Sequence, residues 1–180
     1  MILIINVCKE KLHYLEFVKP IEDILDGEEI RYFTKHYSEV NKKDLGKADK
    51  VIICGTSLFD NAFMNNIGKF KWIRDFDKSI LGICAGMQII GRIFAGDIRK
   101  KLEIGFFRER FVGNFLGLSG ECEVYHLHNN YVSKWRNDWD VLCEGNGIPQ
   151  AVKHKTREIY CCLFHPEVRQ KDLIVNFVKI

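Results

Sequence analysis

The sequence predicts an α/β fold: an open, mostly parallel sheet flanked by helices, with some antiparallel strands in the C-terminal half. Two observations carry this. In the N-terminal half, short apolar runs alternate with stretches of helix-like apolar spacing, the pattern of strands joined by crossover helices. From Leu102 onward the texture changes, and Gly and Phe alternate with charges in a way that suits short antiparallel strands. With 180 residues and 47% hydrophobic content, the chain can bury a sizeable core without disulfide or metal staples. One domain over residues 1–180 is expected.

The elements follow in order. Ile2 to Val7 is a near-continuous apolar strand, and Leu12 to Leu25 is a helix that Pro20 starts or kinks. Glu29 to Phe33, Asp49 to Ile53 and Ser79 to Ile83 read as the second, third and fourth strands. The helix after Ile83 sets Met87, Ile90, Ile93 and Phe94 on one face. Leu102 to Glu123 supplies short antiparallel strands, continued by Asp140 to Cys143, Gln150 to Lys153 and Ile159 to Leu163. Lys171 to Lys179 closes as a short helix.

The chemistry concentrates at Gly82-Ile83-Cys84-Ala85-Gly86-Met87-Gln88, a cysteine on a strand-turn-helix elbow. An elbow holds its nucleophile in a strained backbone conformation, and Gly82 and Gly86 remove the clashes that larger residues would bring. At a helix N-terminus, free N–H groups and the helix dipole favour a thiolate. Near the C-terminus stands Phe164-His165-Pro166-Glu167-Val168. Pro166 ends the strand, leaving His165 as the candidate base and Glu167 as the carboxylate that orients it.

The order Cys84, His165, Glu167, with the G-x-C-x-G-x-Q elbow and the F-H-P-E ending, resembles class I glutamine amidotransferase domains. The resemblance covers most of the chain and implies their flavodoxin-like sheet. It implies that Cys84 attacks the side-chain amide of glutamine to form a thioester, with His165 and Glu167 completing the triad, and that ammonia passes to a synthase or synthetase. Gln88 matches a position that helps hold glutamine, and His126 to Val132 matches a loop lining the glutamine pocket, which brings in His128, Asn129 and Asn130. The two asparagines also suit a turn. The F-H-P-E-V ending is similar to that of free-standing glutaminase subunits such as that of GMP synthetase. Met87 is equally similar to the glutaminase partner of imidazole glycerol phosphate synthase.

One loop departs from the family pattern. Family members read Ser-Gly-Gly-Pro or a close variant after the third strand, and the second glycine gives an N–H to the oxyanion hole. Here the stretch is Cys54-Gly55-Thr56-Ser57, with Thr56 at the glycine's place. Thr56 keeps an N–H, Gly55 beside it is a further candidate for the oxyanion hole, and Ala85 supplies the other donor. A β-branched residue is poor at φ > 0, so this loop is expected to take another conformation or to be assembled when a partner docks.

Composition narrows the alternatives. A net charge of +3, with both signs interspersed, demands neither nucleic acid nor a membrane surface, and Asn41-Lys42-Lys43 and Arg99-Lys100-Lys101 read as solvated turns. Seven cysteines form an odd set without C-x-x-C pairs, so disulfides and a structural zinc are not expected, and Cys161-Cys162 should face opposite ways on a strand. Met1 to Val7 lacks a cationic leader, which points to a strand in a cytoplasmic protein. His126 and His128 have the spacing of metal ligands on one strand, but no third ligand at suitable spacing is visible, so no metal and no cofactor is expected. There is no G-x-x-x-x-G-K-[ST] loop, which leaves ATP chemistry to a separate partner. Two rival readings share these residues: a γ-glutamyl hydrolase or cysteine peptidase of the same fold, and a catalytically silent regulatory or binding module.

Overall fold

The first strand shows how the core is divided. In a computed structural model describing residues 1–180, β1 (Ile2–Asn6) sends Ile2 and Ile4 to one face of the sheet and Leu3 and Ile5 to the other, all essentially fully buried. A strand apolar on both sides belongs in the middle of a sheet covered on both faces. β1 accordingly pairs in parallel with β2 (Tyr32–His36) on one side and β3 (Lys50–Ile53) on the other. The parallel set continues through β4 (Ser79–Ile83) and β9 (Ile159–Cys162). Beyond β9 the sheet turns antiparallel through β8 (Ile148–His154), β7 (Trp139–Gly145), β5 (Ile98–Phe115) and β6 (Leu118–Val132). The nine strands lie in the order β2-β1-β3-β4-β9-β8-β7-β5-β6.

Helices α1 (Lys11–Phe17), α2 (Lys19–Gly27) and α6 (Lys171–Lys179) cover one face, where Phe17, Ile21, Leu25 and Phe177 meet Ile4, Ile52 and Leu81. The opposite face carries α5 (Ala85–Ile93), the short helices α3 (Lys42–Lys47) and α4 (Ala62–Asn65), and a 3-10 helix over Ile67–Arg74. Cys161 and Cys162 belong to opposite core clusters, as their adjacency on a strand requires.

Several expectations need correction. The single helix expected over Leu12 to Leu25 is two, broken at Val18, with Pro20 in the first turn of α2, where its missing N–H costs nothing. The second strand begins at Tyr32 instead of Glu29, because Glu29 adopts φ 55° and the Ile30 N–H returns to the Leu25 carbonyl, closing α2 first. The short strands expected over Leu102 to Glu123 are one long hairpin, β5 and β6, of 18 and 15 residues. Its second arm absorbs His126 to Val132, so Asn129 and Asn130 sit on a strand and not in a loop or turn. Helix α3 is an addition to the expected elements, although Asn41 and Asp44 form a capping box that announces its start.

Phe177 is fully buried, edge-on to Tyr160, and binds α6 to the sheet. Phe177→Ala should therefore cost about 3–5 kcal/mol, read as a lower urea midpoint with an unchanged slope.

Candidate active site

Cys84 stands between β4 and α5 at φ 48° and ψ −98°, a conformation that L-residues avoid. Its N–H donates to the Cys162 carbonyl at 2.8 Å, and its own carbonyl accepts from the Gln88 N–H at 3.1 Å. The strain is thus held from both sides. The flanking glycines are required, since a Cβ on Gly86 would lie 2.3 Å from the Ile53 carbonyl oxygen and one on Gly82 would lie 2.8 Å from the Gly86 backbone. The Cys84 sulfur lies 3.7 Å from the Leu127 carbonyl oxygen.

His165 follows β9 and is anchored by its own N–H, which donates to the Tyr125 carbonyl at 2.8 Å. Its Nδ1 is 2.7 Å from Glu167 Oε1, both side chains are 1% exposed, and the Phe17 ring packs against the imidazole at 5.3 Å. Nε2 makes no hydrogen bond to the protein. Burial pulls the imidazole pKa down, but the charges of Glu167 and Cys84 outweigh burial and hold it well above the ordinary value. The cysteine belongs to that balance. Five other cysteines are held as neutral thiols, chiefly by burial: Cys8 is pushed up to about 11, Cys143 to about 12, and Cys54, Cys161 and Cys162 well above the ordinary thiol value.

The departing loop takes a conformation that suits a threonine. Thr56 has no positive φ, so its β-branch meets no backbone penalty. Its hydroxyl donates to Asp60 Oδ2 at 2.9 Å, and Asp60 also accepts the Lys9 N–H at 2.6 Å. Asp60 is a residue that sequence reasoning misses, and only its place four residues after Thr56 hints at the tie. The N–H groups of Thr56 and Ala85 take no acceptor inside the protein, Ala85 being the first residue of α5. Gly55 has a separate task. A Cβ there would lie 2.5 Å from His165 Cε1 and 3.4 Å from Cys84 Cβ, so its bareness lets cysteine and imidazole share the space.

Cys84, Ala85, Thr56, Leu58, Gln88 and His128 line a small pocket. Gln88 Nε2 donates to the Asn130 carbonyl at 3.3 Å, while its buried Oε1 has no partner. Asn129 Nδ2 donates to the Leu58 carbonyl at 2.6 Å and ties β6 to the loop, whereas the Asn130 side chain turns to Asn129 and Asn61. His128 is pushed down to about 4, mainly by burial and by neighbouring His126. The third group that linear spacing hides from the histidine pair is Glu103, its cross-strand partner on β5. Chemically, the arrangement offers a cysteine sulfur at a helix N-terminus, an imidazole held by a carboxylate, and two free N–H donors.

The family model of class I glutamine amidotransferases matches residues 26–178. The chain belongs to that family. Among curated relatives, a subunit of the glutamine-hydrolyzing GMP synthase of Methanobrevibacter smithii is 32% identical over 122 residues, 61% of this chain and 63% of the relative, just under two thirds of its length. The corresponding protein of Thermoplasma acidophilum is 27% identical over 156 residues, 79% of this chain and 77% of the relative. The crystal structure of a putative GMP synthase subunit from Thermoplasma acidophilum superposes with a TM-score of 0.87 at 22% identity, covering 99% of this chain and 92% of the other. A glutamine amidotransferase from Thermotoga maritima gives 0.74 at 15% identity, covering 99% and 80%. At these identities the structural likeness establishes the fold, which agrees with the expected open α/β sheet.

If Glu167 and a Cys84 thiolate raise the His165 pKa, then Glu167→Gln and Cys84→Ala should each lower it. An NMR titration of the ring Cε1–H checks this, and an unchanged midpoint in both variants would exclude the ion pair.

Proposed function

We propose that this amidotransferase chain, acting as one domain, is a glutaminase subunit that releases ammonia from glutamine for a separate synthetase. The observation that carries the reading is the geometry of Cys84, strained on its elbow beside an imidazole whose far nitrogen is fixed on Glu167. In this reading the Cys84 thiolate adds to the side-chain amide carbon, and the oxygen's developing charge is taken by the N–H groups of Ala85 and Thr56. The protonated His165 gives its proton to the departing nitrogen as the C–N bond breaks, which leaves a glutamyl thioester and ammonia. Water, losing a proton to His165, then splits the thioester to glutamate and restores the thiolate. Glu167 holds the ring's orientation and its positive charge throughout.

The curated relatives, subunits of glutamine-hydrolyzing GMP synthases, favour this reading over a peptidase or γ-glutamyl hydrolase. Glutamine would bring its side-chain amide to a pocket lined by Cys84, Thr56 and Gln88. Gln88 Oε1, buried and unpartnered, is placed to accept a hydrogen bond from that substrate. The ordinary φ at Thr56 removes the main reason for a silent module. The relatives named as GMP synthase subunits support a synthetase that makes a purine nucleotide as the ammonia acceptor. Phe59, 91% exposed between the pocket-lining Leu58 and Asp60, offers such a partner an apolar contact. The proposed place of work is the cytoplasm. No helix is long and apolar enough to cross a membrane.

Intact-mass labelling with a glutamine-like diazoketone tests the site. We expect one adduct per chain, competed by glutamine and absent in Cys84→Ala, a variant that should also release no glutamate while keeping its fold. Glutamate release by Cys84→Ala would overturn the thioester route. Thr56→Gly frees the loop from Asp60, so glutaminase activity should fall toward the loss of about 10²–10³-fold that accompanies a misplaced oxyanion donor. A steady-state assay with the partner present and absent distinguishes this from a docking defect.

A further inference from the structure

Behind the pocket wall, β5 and β6 bury a second group of ionisable side chains. Glu103, His126 and His128 each direct a ligand-type atom into one small volume, all within 4.8 Å of one another. Their exposures are 3%, 0% and 2%. His128 Nε2 lies 3.1 Å from Glu103 Oε2, yet neither nitrogen of either histidine makes a hydrogen bond of acceptable geometry. Buried imidazoles normally satisfy at least one nitrogen. A pair at contact distance but off the hydrogen-bond direction is what two ligands of one ion look like. With bonds to zinc of about 2.0–2.1 Å, tetrahedral ligand atoms stand about 3.3–3.4 Å apart, and the Glu103–His128 pair at 3.1 Å is near that spacing while His126 lies within 4.8 Å of both.

The surroundings fit the same purpose. Glu103 is held by Gln150 Nε2 at 2.9 Å and Asn146 Nδ2 at 3.2 Å, which orient a ligating carboxylate without neutralising it. Glu109 Oε1 lies 3.4 Å from His126 Nε2, close enough to orient the ring if its other nitrogen holds an ion. The rings of Phe107 and Phe164 pack edge-on against His126 and keep solvent away. His128 also lines the pocket, which gives an ion a path inward.

We propose that Glu103, His126 and His128 form a site for a divalent transition metal of the zinc class, which pins the β5–β6 hairpin behind the pocket. This goes beyond the glutaminase reading and stands without it. The test loads the purified full chain with cobalt(II), desalts it and records metal content and the visible spectrum. Expected are one retained cobalt per chain, the d–d bands of a low-symmetry site, no sulfur-to-cobalt charge transfer, and displacement by zinc. Binding should be lost in His126→Gln and in Glu103→Gln and kept in Cys84→Ser. No retained cobalt in the wild-type chain, a thiolate charge-transfer band, or full binding by folded His126→Gln would each overturn the assignment. The wild-type spectrum decides the matter even if the variants fold poorly.

Discussion

The backbone at Cys84 is the constraint around which the rest of the site is arranged. A non-glycine residue at φ 48° and ψ −98° costs on the order of 1–3 kcal/mol and persists only where its surroundings over-determine it. Here the determinants are the Cys162 carbonyl, the first turn of α5 and two glycines that let α5 press against β3 and β4. Placing a parallel strand on each side of β4 makes the elbow a part of the sheet and not a loop that can relax. The same geometry leaves the Ala85 N–H free, so strain and anion recognition arise from one turn.

Electrostatics complete what the backbone begins. A buried carboxylate without a partner would be protonated, and a buried imidazole without one would be neutral. His165 faces Glu167 at 2.7 Å, and the charges of Glu167 and Cys84 hold the imidazole pKa above its ordinary value despite burial. Because the folded pKa of His165 is raised, its contribution to stability is complete below the unfolded imidazole value of about 6.5 and is lost as pH rises through the folded value.

Much of this is legible in the sequence because it is local. The elbow lies within seven consecutive residues and the His-Pro-Glu ending within three, so spacing alone places their side chains. The alternating apolar runs likewise fix the parallel half of the sheet. What escapes is set by tertiary contact. The start of β2 depends on Glu29 closing α2 at positive φ, and the length of the hairpin depends on pairing between strands whose sequences are mixed and partly exposed. Thr56 resembles a defect only if the family glycine is taken as a demand for positive φ, whereas the structure spends its glycine one residue earlier, against the His165 ring. Asp60 and Glu103 act across space and carry no linear signature.

The strand β6 explains how parts from opposite ends of the chain keep register. Within Tyr125 to Asn130, the Tyr125 carbonyl holds the His165 N–H, the Leu127 carbonyl faces the Cys84 sulfur, and the Asn130 carbonyl holds Gln88. The Asn129 side chain reaches the loop that carries Thr56, and His128 forms the wall between pocket and hairpin. Carbonyls two apart on a strand point the same way, so one edge of β6 presents successive acceptors to His165 and Cys84, with the pocket helix held just beyond them. A shift of β6 by one residue would misplace all of them together. The register is pinned by buried groups on its other contacts, Val124 and Val132 among them, and by the histidine pair that meets Glu103. Precision at the site thus rests on a strand that supplies none of the reacting atoms.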